Sequence, residues 1–170
     1  MATDKASIVV DGETLAARAV RVLTAVCDPV VEAGPGVTGV PAVREDPPGA
    51  GPLAALVAAT AALATPGPVV LLACDMPFVE EPVLRLLAEH GGDASVIPVA
   101  GGRLQLACAR YGPEAIARAR AALARGETAL RAAAGDDYEE LAEDVWRAVA
   151  GPDAFLDLDT PGDLARLGLS

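Results

Sequence analysis

Aromatic side chains are scarce in this sequence: one Trp, two Tyr and two Phe make up 3% of 170 residues. A chain that is 52% hydrophobic must then build its core from Ala, Val and Leu. At this length one soluble domain over residues 1–170 buries enough apolar surface to hold itself together. Lysine is scarcer still, with Lys5 alone against twelve Arg. With so much Ala and Gly, that bias suggests GC-rich coding. Acidic residues outnumber basic ones 24 to 13, for a net charge of -11, and no basic run offsets them. Nucleic acid and anionic membrane are thereby excluded as main partners. An anionic substrate needs a metal ion or a few local cations. The longest apolar stretch, Leu53 to Ala64, is too short to span a bilayer and reads as a buried helix. No basic-then-apolar leader opens the sequence, so the cytoplasm is the expected location.

Metal-binding and nucleophile patterns are also missing. Cys27, Cys74 and Cys108 are odd in number, far apart and set in apolar surroundings, with no Cys/His ligand spacing. Buried reduced thiols fit this better than zinc. His90 is the only histidine, and "AEHGG" reads as a helix end closed by Gly91, where a histidine suits the helix dipole. With no G-x-S-x-G either, Ser-His-Asp chemistry is set aside.

What is present alternates between strands and helices. "SIVV" (7–10) reads as a short strand closed by Asp11-Gly12, and 12–26 carries apolar residues at helical spacing on Leu15, Ala19, Val22, Leu23 and Val26. Residues 28–33 read as a second strand, and 39–46 as a third strand or extended arm. A glycine turn then leads through Pro52 into an apolar helix. Strand 69–74, a helix near 80–90, and strands 94–100 and 103–111 about a Gly101-Gly102 hairpin follow. Helices are expected near 113–125, 127–134 and 137–149, then strand 155–158 and a capped final helix. This order favours an α/β fold with right-handed crossovers and a mostly parallel sheet.

Candidate chemistry collects at strand ends. "PVVLLACDMPF" (68–78) is a buried-looking strand that ends on Asp75, with Pro77 stopping the ladder. Ligands of open α/β sheets bind just beyond such ends, which places Asp75 where a metal or substrate would sit. A plain strand-end turn with Asp75 capping the next helix is the alternative. In "REDPPGAGPLAAL" (44–56), Asp46 precedes two prolines, and Gly49 and Gly51 allow close backbone approach. The N–H groups at the start of the Pro52 helix suit an anion or a base edge; a rigid turn before a core helix is the plain alternative. In "LDLDTPGDL" (156–164), Asp157 and Asp159 share one face if extended. Asp159 then either joins Asp75 around a cation or simply caps a helix.

Taken in order, "DKASIVVDGETLAARAV", "EDPPGAGPLAAL", "LLACDMPF" and "DLDTPGDL" resemble the molybdenum cofactor guanylyltransferases, the MobA-like nucleotidyltransferases, from Asp4 onward. The resemblance implies a Rossmann-like three-layer fold and an Mg²⁺-dependent transfer of GMP from GTP to molybdopterin, releasing pyrophosphate. It matches Lys5 to the lysine that meets the nucleotide phosphates and Asp46 to the aspartate near the guanine nucleotide. Gly51, Pro52, Leu53, Asp157 and Asp159 fall among its substrate-binding positions. Asp75 is matched to the metal-binding aspartate, with Asp159 as a second candidate ligand.

The sequence departs from the family pattern in several places. It opens at the equivalent of the last residues of the family's glycine-rich loop, with Ala2 where glycine is usual, so the first strand is expected to be missing. The expected native product extends roughly 15–25 residues upstream, one strand plus that loop. In its absence "SIVV" is the nearest segment to fill the gap. Asp157-Leu158-Asp159-Thr160-Pro161 follows the cytidylyltransferase pattern rather than Asn-x-Asn-Thr-Pro. Gln105-Leu106 replaces Gln/His-Pro, and Glu32 or Ala33 lies where some members use an asparagine. A molybdopterin cytidylyltransferase, and a non-catalytic nucleotide-binding protein, are therefore alternative expectations.

Overall fold

The computed structural model describes residues 5–158. A short 3-10 turn, Lys5–Ser7, leads into β1 (Val9–Val10), which pairs antiparallel with β2 (Glu13–Thr14). Asp11 and Gly12 both take positive φ, as a two-residue hairpin of this twist requires. Helix α1 (Leu15–Thr24) starts at once, because the Thr14 hydroxyl accepts the Ala17 N–H. Next come β3 (Glu32–Ala33) and β4 (Ala42–Val43), a parallel pair, and α2 (Pro52–Leu63). The remaining elements are β5 (Val69–Leu72), α3 (Glu81–Ala88), β6 (Val96–Ala100), β7 (Arg103–Leu104) and β8 (Cys108–Tyr111). Helix α4 (Pro113–Ala124), α5 (Arg131–Ala134), β9 (Glu139–Leu141) and α6 (Glu143–Arg147) complete them.

The main sheet runs β5-β8-β6, with β7 and β9 both on β6. Strands β5, β6 and β9 point the same way, and β8 runs against them between β5 and β6. The shared direction is that of the expected α/β sheet. The reversal comes from the Gly101-Gly102 hairpin, which sends the chain back along β6 through β7 and into β8. Alternate strand residues serve opposite faces. Val69, Leu71, Ile97, Ala109 and Tyr111 pack with α2, α4 and α5. Val70, Leu72, Val96 and Cys108 pack with α1, α3 and α6. The result is three layers. With few aromatics, small residues seat the helices: Ala115, Ala119 and Ala122 of α4 are buried against Ala133 and Ala134. Gly112 shows how tight this becomes, since a Cβ there would lie 2.0 Å from the Asp93 carbonyl oxygen.

Several expected elements change. "SIVV" supplies only the two residues of β1 and stays in its own hairpin, so it fills no gap in the main sheet. Segments 28–33 and 39–46 pair over two residues each. Segment 103–111 breaks in two, because Cys108 N–H turns back to the Gln105 carbonyl. The helix expected over 127–134 is confined to α5. Where a helix over 137–149 was expected, Glu139–Leu141 instead pair parallel with Val96–Pro98, and only Glu143–Arg147 are helical. Tertiary pairing overrides the helix preference of Glu and Leu there. "FLDL" forms no strand. Ala154 and Phe155 are buried, and Leu158 is bonded elsewhere. No helix among the described residues is long and apolar enough to cross a membrane.

Candidate functional site

Strand β5 ends at Leu72, although the Ala73 N–H still reaches the Ala107 carbonyl. The chain then turns, with Met76 N–H on the Ala73 carbonyl, so Asp75 stands at the sheet's edge rather than in its ladder. Its Oδ2 lies 3.0 Å from Lys5 Nζ, across 70 positions of sequence. The alternative role, capping of α3, is not what Asp75 does: α3 begins at Glu80 without a side-chain cap. Both partners stay partly open, with 36% of the Lys5 side chain and 24% of that of Asp75 exposed. Asp75 Oδ1 has no hydrogen bond among the described residues.

A third segment arrives at the same place. The Leu158 N–H donates to the backbone carbonyl of Asp75 at 2.8 Å. Leu158, Val10 and Leu15 are buried together there, with Ile8 and Cys74 packed on them. This small apolar footing holds the Lys5 turn, the end of β5 and the 157–158 segment in register. Asp157 is exposed beside it. Asp159 lies outside the described residues.

The loop before α2 is built differently. Gly49 N–H donates to the Glu45 carboxylate at 2.9 Å, which curls 45–49. Asp46 is exposed on that curl, with no hydrogen bond or ion pair among the described residues. Gly51 has φ +98, and a Cβ there would meet Thr128 at 3.3 Å. Pro52 opens the helix, as expected. The Leu53 side chain is fully buried, and its N–H donates to the Thr128 carbonyl at 3.1 Å. Of the N–H groups expected to face a ligand, this one already has a protein partner. Thr128 went unnoticed in the sequence, where nothing links it to residue 53.

A second strand-end carboxylate is fully engaged. Glu32 accepts from the N–H groups of Gly36, Val37 and Thr38 and from the Thr38 hydroxyl, at 2.6–3.2 Å. Burial alone would raise its pKa, but the Thr38 hydroxyl and the three N–H groups outweigh that and hold it below the usual carboxylate range. Two of the thiols are unreactive in character: burial pushes Cys108 up to about 12 and raises Cys27 as well. Lys5, Asp75 and the 157–158 segment thus meet at one place, and no hydrogen bond or ion pair among the described residues links Asp46 to them.

Several known proteins are similar to this chain in sequence or in fold. A probable molybdenum cofactor guanylyltransferase from Opitutus terrae is 40% identical over 141 residues, covering 77% of this chain and 69% of that protein. The crystal structure of molybdopterin-guanine dinucleotide biosynthesis protein A from Archaeoglobus fulgidus superposes with TM-score 0.73 at 21% identity, over 96% of this chain and 88% of that one. A nucleotidyl transferase from Methanothermobacter thermautotroptrophicus gives TM-score 0.69 at 22% identity, over 96% and 82%. These two structures share the fold. Residues 1–141 match the MobA-like NTP transferase domain, so the chain, with its Lys5–Asp75 pair at the end of β5, belongs to that family of nucleotidyltransferases.

Proposed function

We propose that this chain transfers the GMP moiety of GTP to the phosphate of molybdopterin and releases pyrophosphate. The observation that carries the reading is the Lys5–Asp75 pair, a cation and a carboxylate 3.0 Å apart just beyond the carboxyl end of β5. The name of the Opitutus terrae relative supports the same activity. In the reaction an oxygen of the acceptor phosphate attacks the α-phosphorus of GTP. The new P–O bond forms as the bond to the β-phosphate bridging oxygen breaks, and its electron pair leaves with pyrophosphate. Lys5 meets the phosphate charge with its ammonium. Asp46, exposed and unbonded, offers acceptors to the N–H edge of guanine, beside the Gly51–Leu53 backbone.

Asp75 is the residue that would hold Mg²⁺, whose chemistry is to neutralise and orient the phosphates. Its free Oδ1 suits that duty. No group of three His, Cys, Asp or Glu among the described residues could form a cage. Mg²⁺ commonly takes only one or two protein carboxylates, with phosphate and water completing its shell.

A second reading has its own observation: Asp157-Leu158-Asp159 follows the cytidylyltransferase pattern. The test supplies the chain with molybdopterin, Mg²⁺ and either GTP or CTP, and follows pyrophosphate release and product mass. Faster release with GTP is expected. Faster release with CTP assigns the cytidylyltransferase, and nucleotide binding without release assigns a binding protein.

A further inference from the structure

A cleft of about 560 Å³ opens between the second half of α1, the loop from Asp75 into α3, and the turn 151–154. That volume lies within the roughly 300–1,000 Å³ of small-molecule sites. Two of its charged residues are already engaged: Arg21 binds Glu13 at 3.0 Å, and Glu81 binds Arg85. Three are not. Arg18, Glu80 and Asp153 make no side-chain hydrogen bond or ion pair among the described residues. Phe78 is half-buried at the same wall, with Pro77 beside it and Pro152 on the 151–154 turn.

The geometry points to this cleft as the seat of the acceptor's pterin, a flat 2-amino-4-oxo-pyrimidine heterocycle. The inference rests on the transfer reading above and adds a subsite to it. An aminopyrimidinone carries N–H donors along one edge and acceptors at its carbonyl and neighbouring ring nitrogen. Two carboxylates and a guanidinium with no hydrogen bond or ion pair among the described residues complement those edges, and half-buried Phe78 with exposed Pro82 and Pro152 offers apolar surface to the ring. The placement also fits the chemistry. Phe78 follows Asp75 by three residues, so their Cα atoms lie within about 11 Å. A pterin held here leaves its phosphate pointing toward Lys5 and Asp75.

The test titrates the full chain with 6-hydroxymethylpterin and reads pterin fluorescence, with GTP binding and melting temperature measured in parallel. Saturable binding is expected. It should weaken at least tenfold in Arg18→Ala and in the Glu80→Gln/Asp153→Asn double variant, while GTP affinity and melting stay as in the parent. In the full reaction the same variants raise the KM for the acceptor and leave that for GTP unchanged. No saturable pterin binding, binding indifferent to both variants, or displacement of pterin by GTP alone overturns the subsite. If pterin binds as expected but no nucleotide is bound or transferred, the transfer reading falls and the subsite stands. If GMP transfer proceeds with an acceptor KM indifferent to the variants, the transfer reading stands and the subsite falls.

Discussion

Asp75 and Glu32 each close a strand with a carboxylate, and the two have opposite fates. Glu32 spends both oxygens on its own loop, receiving three N–H groups and a hydroxyl. Asp75 gives one oxygen to Lys5, and its other oxygen takes no hydrogen bond among the described residues. Strand-end position alone therefore does not make a site. A carboxylate is available to a ligand only where the fold leaves its acceptor capacity unfilled. The supports differ in the same sense. The partners of Glu32 lie within six residues of it, whereas Asp75 is held by segments 70 and 83 positions away (Leu158 less Asp75).

Substitution breaks this contrast most directly. Asp75→Asn keeps the shape and removes the charge, and pyrophosphate release should fall by about 10²–10³. Near-parental turnover in a folded Asp75→Asn preparation would remove Asp75 from the metal and phosphate site. Lys5→Met should lower kcat/KM for the nucleotide by about tenfold or more through the same charge argument. Thermal melting of this variant should move little, because a part-exposed pair contributes under about 1 kcal/mol.

The reverse pattern is expected at the other strand end. Glu32→Gln should leave turnover near that of the parent and cost about 1 kcal/mol, read as a lower melting temperature. A large loss of activity without loss of stability would erase the distinction between the two carboxylates. The smallest effect concerns pH. The Glu32 carboxyl titrates lower in the folded chain than in the unfolded one. Its contribution is thus complete above the unfolded value of about 4.5 and is lost as pH falls through the lowered folded pKa. Protection factors of the Gly36, Val37 and Thr38 amides, their exchange relative to the intrinsic rate at each pH, should fall in that acid window and stay flat above it in the parent, and Glu32→Gln should abolish the step.

Much of the site was legible where chemistry and chain order coincide. Asp75 at the end of an apolar strand, Pro52 at the start of α2 and Gly101-Gly102 as a hairpin all follow from local rules, and all stand in the structure. Long-range partners were not legible. Nothing near Lys5 announces Asp75, and nothing near Leu53 announces Thr128, because a hydrogen bond across the fold leaves no periodicity. Strand β9 stayed hidden for a related reason. Glu139-Glu140-Leu141 favours helix on its own and becomes a strand only because β6 offers it a parallel edge.

The bond from Leu53 to Thr128 bears on where this protein tolerates change. The connection between α4 and α5 is exposed over residues 125–129, the ordinary place for an inserted tag or an altered loop length. Yet the Thr128 carbonyl holds the first amide of α2, and its side chain sits against Gly51. An insertion there would therefore register not as a longer loop but as a shifted start of α2, together with the 45–51 curl that carries Asp46. The turn at Gly91-Gly92 is tied in as well: the buried Arg110 guanidinium donates to the His90 and Gly92 carbonyls, and Gly92 takes φ +72. Neither connection is a neutral place for an insertion, since each carries a backbone carbonyl that a distant element depends on.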